Sequence, residues 1–177
     1  MFYKSVLWVF FLVSFSFAST TFSFENLETF KANFVQTIIS SENNNIEYKG
    51  DVYIKSSGNI LWKYKTPIEK NVYVNNKYII IDEPQLEQAI FTTLQDDINL
   101  IEILKKAKEI SKNEYLAVIE GVDYKVIVNK KNITNIIYKD KLENSINISF
   151  LNVVNNSVLD NDIFRFSAPD YYDVIRK

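Results

Sequence analysis

The chain has 177 residues, with 20 basic and 22 acidic side chains, no histidine and no cysteine, for a net charge of −2. These counts exclude disulfide staples, thiol or imidazole catalysis and a lipid-modified cysteine at the head of the mature chain. With Arg165 and Arg176 as the sole arginines, they also leave no basic stripe for nucleic acid and no polybasic patch for anionic lipid heads.

In chain order, Lys4 precedes an apolar run over residues 5–17, and Ser16-Phe17-Ala18 places small residues where signal peptidase cuts. Such a run is too short to span a bilayer comfortably, so residues 1–18 read as a secretory signal peptide cleaved after Ala18. Residues 19–177 then fit one domain. Over residues 19–29, Phe24, Leu27 and Phe30 fall at helical spacing behind Ser23 as a candidate cap, which predicts a short helix.

From Phe30 onward the period changes to two. Phe30, Ala32, Phe34, Gln36 and Ile38 share one parity and predict a strand over 30–40. After a polar turn at 41–45, a second strand is expected over 46–55, and Gly58 marks the next turn at 56–59. Ile60, Trp62 and Tyr64 carry a third strand over 60–66, stopped by Pro67. Residues 69–74 and 77–82 read as a hairpin around Asn75-Asn76, with the inward parity of 77–82 ambiguous. Residues 88–94 look extended.

A helix is predicted over 98–110. Leu100, Ile103, Leu104, Ala107 and Ile110 form one face, Asp96 or Asp97 caps the start, and Lys105, Lys106 and Lys108 suit the negative end of the dipole. Four strands follow over 115–120, 123–129, 133–139 and 143–152, with Tyr124, Val126 and Val128 and then Ile146, Ile148 and Phe150 in alternation. A polar loop over 155–162 leads to a last short strand over 163–166, ended by Pro169.

The expected fold is mainly β: about eleven sequential strands joined by short turns, hence antiparallel, in a sheet large enough to curl. Such a sheet splits into two facing sheets that fill each other's concave faces, or curls into one whose hollow only a helix can plug. Its concave face is either a packed core or a hydrophobic cavity, and alternation alone does not separate the two. Candidate lining residues are Phe34, Ile38, Ile60, Trp62, Tyr64, Ile148 and Phe150; candidate lid residues are Leu100, Ile103, Leu104 and Ala107. Lys63 and Lys65 fall on the opposite, solvated side. The acidic clusters Asp82-Glu83, Asp96-Asp97 and Asp170 with Asp173 read as caps and solvated loops. A small hydrolase using Asp82 or Asp96 is the competing class, weakened by the lack of histidine. No catalytic residue, metal or cofactor is assigned.

Four segments together carry a family resemblance. Residues 30–36 match F-x-A-x-F-x-Q, and Trp62, Tyr64 and Pro67 match W-x-Y-x-x-P. Residues 82–88 are similar to a D-P-x-L-x-Q segment with one extra residue. Phe164, Phe166 and Pro169, followed by Asp173-Val174-Ile175, match a closing F-x-F-x-x-P and D-V-I. In this order they resemble the LolA family of periplasmic outer-membrane lipoprotein carriers. The resemblance implies an incomplete, strongly curved antiparallel barrel of about eleven strands with a short helical lid, in a monomeric periplasmic protein whose hydrophobic cavity holds lipoprotein acyl chains. An inner-membrane ABC-type lipoprotein exporter would load it and an outer-membrane acceptor would unload it, with no nucleic acid involved. A periplasmic protein of this fold with another lipid or a regulatory partner is the alternative. One departure is local. Where the family has Lys-Arg-Pro, with the arginine latching the lid, this chain has Lys55-Ser56-Ser57, so the latch does not carry over.

Overall fold

A computed structural model of the chain describes residue 24 and residues 26–75, 78–93 and 100–177, with residues 100–102 described through their backbone alone. The expected signal peptide, most of the expected N-terminal helix, and Asp96 and Asp97 lie outside the described residues.

Period-2 patterning becomes a single curved sheet of twelve strands. The strands are β1 (Thr29–Ile39), β2 (Asn45–Lys55), β3 (Ile60–Thr66), β4 (Lys70–Val74), β5 (Tyr78–Glu83) and β6 (Gln88–Thr93) in the first half. After helix α1 (Leu100–Lys106) come β7 (Lys108–Ser111), β8 (Glu114–Ile119), β9 (Val122–Asn129), β10 (Asn132–Lys139), β11 (Ser145–Asn155) and β12 (Asp173–Arg176). Spatial order runs β12-β6-β5-β4-β3-β2-β1-β11-β10-β9-β8-β7. The two halves of the chain are therefore two meanders joined where β1 pairs with β11, Phe34 opposite Phe150 and Ile38 opposite Ile146. The sheet ends at β12 and β7 without closing, which is the incomplete barrel the resemblance implies.

The inward parity of every long strand converges on one core. Phe30, Ala32 and Phe34 of β1, Val52 and Ile54 of β2, Val126 and Val128 of β9 and Ile146, Ile148 and Phe150 of β11 are all buried in it. Gly50 of β2 is required there by close approach. A Cβ on it would lie 1.9 Å from the Lys63 carbonyl oxygen and 2.9 Å from the Phe34 ring.

Three expectations are corrected. The helix predicted over 98–110 is shorter, and Lys108–Ser111 instead forms β7, hydrogen-bonded along β8 with Glu109 opposite Tyr115. A seven-residue helix gains little from its own hydrogen bonds. The free β8 edge offers residues 108–111 a ladder, and Ile110 is left exposed rather than on a lid face. Next, residues 163–166 are not a strand: Asp162–Phe164 is a 3-10 turn, after which the chain continues without regular pairing. Finally, the sheet is not wholly antiparallel, because Asp173–Arg176 adds as β12 parallel to β6, with Val174 opposite Ala89. A parallel neighbour needs a long crossover. The segment after β11 supplies it, running over the outer face.

That crossing creates a second, smaller apolar layer. Leu61, Tyr73, Ile80 and Phe91 form one outward row across β3–β6, since each is opposite the next in register. Phe166 packs on it, its ring 5.5 Å from Tyr73 and 6.2 Å from Phe91. Strand β5 is thus covered on both faces, which is why its sequence shows no clean alternation. Ile79 and Ile81 face the main core; Ile80 and Asp82 face the outer layer.

Candidate functional site

The concave face is neither packed solid nor empty. A cavity of about 250 Å³ lies between two walls of the curl. Trp62, Tyr64, Lys70, Val72, Val74 and Ile81 form the wall from β3–β5; Ile136, Tyr138 and Ile148 form the wall from β10 and β11, and Gln36 of β1 lies between them. Curvature brings these walls together. Trp62 of β3 reaches Phe150 of β11 across the hollow, ring centroids 6.4 Å apart.

Beneath the cavity runs a connected series of rings. Phe30 meets Phe150 edge-on at 5.2 Å, Phe34 meets Trp62 at 5.0 Å and Tyr64 at 5.1 Å, and Tyr64 meets Tyr48 at 5.7 Å. Edge-to-face contacts of this kind add about 0.5–1.5 kcal/mol each beyond the area they bury, so the floor is rigid.

The sequence-predicted lining residues separate into levels. Trp62, Tyr64 and Ile148 lie on the cavity wall. Phe34, Ile60 and Phe150 are buried in the core that supports it, and Ile38 is half-buried against the same core, beyond Gln36 on β1. Of the lid residues, Ile103 and Leu104 are buried against the core, and Ala107, one residue past the helix, is half-buried there. Leu100 begins α1, and its side chain lies outside the described residues.

Helix α1 packs Ile103 and Leu104 against the core, away from the residues that line the cavity. Leu104 borders a gap of about 60 Å³ with Phe24, Leu27, Phe30, Ile54 and Ser56, all at the end where β1 begins. Phe24 is tied in by an edge-on contact to Tyr115, 5.1 Å between centroids. The large cavity lies toward the other end of β1, at Gln36. Ser56, at the position where the resemblance expects a latching arginine, lines the small gap, and its backbone N–H donates to the Glu28 carbonyl at 2.7 Å. This bond fixes the turn after β2 to the chain entering β1.

Besides Tyr138 on the far wall, three polar side chains of the cavity lie together. The Tyr64 hydroxyl donates to Gln36 Oε1 at 3.1 Å, and Lys70 Nζ lies 4.6 Å from the Tyr64 ring centre and 5.4 Å from that of Tyr48. Sequence reasoning passed over Gln36, Lys70, Val72, Val74, Ile81, Ile136 and Tyr138 as lining. The signal for Lys70 was present, because it shares the parity of Val72 and Val74 and so places a charge on an apolar register. Lys63 and Lys65 fall on the outer face, where Lys65 pairs with Asp51 at 2.7 Å.

The carboxylate candidate lies elsewhere. Asp82 is buried on the outer side of the sheet and accepts a hydrogen bond from Asn71 Nδ2 at 2.9 Å. Burial, and then the Asp82 charge, push the Tyr73 and Tyr172 phenols above their usual range. This is a polar tie beneath the C-terminal crossover, away from the cavity. Among the described residues no helix is long and apolar enough to cross a membrane.

Residues 25–113 match the family described as outer membrane lipoprotein carrier protein LolA. The outer-membrane lipoprotein carrier protein of Campylobacter jejuni is 36% identical over 94% of this chain and 98% of its own length. That of Wolinella succinogenes is 37% identical over 88% of this chain and 91% of its own length. Among solved structures, a LolA superfamily protein from Nitrosomonas europaea superposes with a TM-score of 0.54 over 82% of this chain and 93% of its own, at 13% identity, a likeness of fold alone.

Proposed function

The chain belongs to the outer-membrane lipoprotein carrier family, and from that premise we propose that it carries lipoproteins by burying their acyl chains in the hollow between β3–β5 and β10–β11. The observation that supports this reading best is a cavity of about 250 Å³ on the concave face of an open sheet, walled mostly by aromatic and aliphatic side chains. Each methylene taken from water contributes about 0.8 kcal/mol, so one long acyl chain carries a gross transfer free energy on the order of 10 kcal/mol. A flat surface cannot shield that much hydrocarbon; a curled sheet can.

A carrier must also release its cargo. The two-level construction suits that need. Rigid rings set the floor, while α1 packs on the core through two buried side chains, Ile103 and Leu104, and is short enough to shift at modest cost. Ligand binding then biases a covered and an uncovered arrangement of the same sheet. In this reading the chain works in the periplasm as a monomer. It takes cargo from an ABC-type exporter in the inner membrane and passes it to an outer-membrane acceptor. In this reading the chain carries its cargo without catalysis.

The experiment is retention of a synthetic triacylated lipopeptide by the wild-type chain and by Trp62→Glu. Trp62 is half-buried on the wall, so a charge there gives up the ring contacts to Phe34 and Phe150, leaves the other core contacts in place, and makes the hollow hostile to hydrocarbon. The variant is expected to keep its circular dichroism and lose the lipopeptide. A folded variant that retains the lipopeptide as well as wild type does would remove the cavity from the account.

A further inference from the structure

We propose that Lys70, with Gln36 and Tyr64 beside it, binds the oxygen-bearing end of the lipid, so that the hollow selects acyl chains carrying ester, amide or carboxylate oxygens over bare hydrocarbon and orients them with that end at β4. The inference rests on the carrier reading and adds to it a contact, a preference and an orientation.

The observation is a cation in the wrong company. Lys49, Lys65, Lys125 and Lys139 have carboxylate partners, whereas Lys31, Lys55 and Lys70 lie over rings, and of these three Lys70 is the one that lines the cavity. Lys70 is half-buried in the wall of the cavity, and no ion pair to it occurs among the described residues. Its recorded neighbours are the faces of Tyr64 and Tyr48. Aromatic faces attract a cation but accept none of its N–H donors in a full hydrogen bond. Gln36 adds to the same excess. Its amide oxygen accepts from Tyr64, and among the described residues its amide nitrogen donates to no protein group. The polar corner of the hollow is therefore rich in donors and poor in acceptors. The ester and amide carbonyls that join acyl chains to a backbone, or a fatty carboxylate, are the reverse: acceptors only. Hydrocarbon beyond them would lie along Trp62, Ile148 and Ile136, which need no polar partner.

The position also fixes a direction. Lys70 begins β4 opposite Tyr64, at the end of the sheet away from Leu104 and the small gap beneath α1. Oxygens held at Lys70 send the tails toward the helix.

The test compares two probes on the mature chain: a tripalmitoyl-cysteine lipopeptide, rich in carbonyl oxygens, and N-phenyl-1-naphthylamine, which has none. Lys70→Met keeps the apolar stem and removes the charge; Lys70→Arg restores it. Loss of a charge-assisted hydrogen bond predicts about tenfold weaker lipopeptide binding by K70M, with naphthylamine binding unchanged and K70R close to wild type. Equal weakening of both probes, which a merely distorted cavity would give, overturns the inference. So does lipopeptide binding by K70M at wild-type strength. Failure of the folded wild-type chain to bind the lipopeptide at all overturns the carrier reading and this inference with it.

Discussion

Filling the hollow should weaken binding without weakening the fold. Val72 of β4 lies on the cavity wall, between Trp62 and Ile81 in register, whereas Val126 of β9 has the same side chain in a fully packed site, 0% exposed. Val126→Phe has no room to enter and should cost about 1–3 kcal/mol through displaced neighbours. Val72→Phe places the same added ring into the cavity of about 250 Å³, and the cost should stay below about 1 kcal/mol. If the ring excludes about two methylenes of an acyl chain, binding loses about 1.6 kcal/mol, roughly fifteenfold in affinity. Urea unfolding of both variants gives the stability comparison, and titration with a triacylated lipopeptide gives the affinity. Equal destabilisation by the two substitutions would mean that the wall at Val72 is packed as tightly as the core. A stable Val72→Phe that binds at full strength would mean that the chains lie elsewhere.

Two further predictions concern what holds the sheet in its curve. Gly50→Ala forces a methyl group to within 1.9 Å of the Lys63 carbonyl and against the Phe34 ring, so it should destabilise the chain by about 3 kcal/mol or more; an unchanged urea midpoint would refute the close approach. On the outer face, burial raises the Asp51 pKa, but hydrogen bonds from Lys65 and Asn33 outweigh it and hold the carboxyl below its usual 3.8. A depressed folded pKa means stability that is present above the unfolded value and lost as pH falls through the folded one. The destabilisation caused by Asp51→Asn should therefore be full at neutral pH and shrink below the unfolded pKa, and a pH-independent difference between variant and wild type would contradict it.

Much of the fold was legible because the sheet has one apolar face along most of its length. Phe30, Ala32 and Phe34, or Ile146, Ile148 and Phe150, alternate cleanly since only one side of β1 and β11 is buried in the main core. Legibility failed where that condition fails. Residues 77–82 read as ambiguous because the C-terminal crossover covers the outside of β5, burying Ile80 and Asp82 there while Ile79 and Ile81 face inward. No local pattern announces a cover that arrives from residues 156–172. The second half of the expected helix failed for a related reason: residues 108–111 are exposed, so their apolar period carries little weight against the hydrogen bonds of a free β8 edge. At the cavity, parity placed Trp62, Tyr64 and Ile148 on the correct face. It could not tell wall from floor, because that distinction depends on how far the sheet curls before β3 meets β11. Lys70 is the instructive omission, a charge on an apolar register that a reading centred on rings and aliphatics passes over.

Native mass spectrometry of the chain purified from the periplasm without detergent addresses the central claim most directly. The account predicts a fraction of molecules carrying a mass that collisional release identifies as an acylated lipoprotein or lipid, and the loss of that fraction in Trp62→Glu. A uniform ligand-free species from cells actively exporting lipoproteins, or a bound molecule without acyl chains, would contradict it.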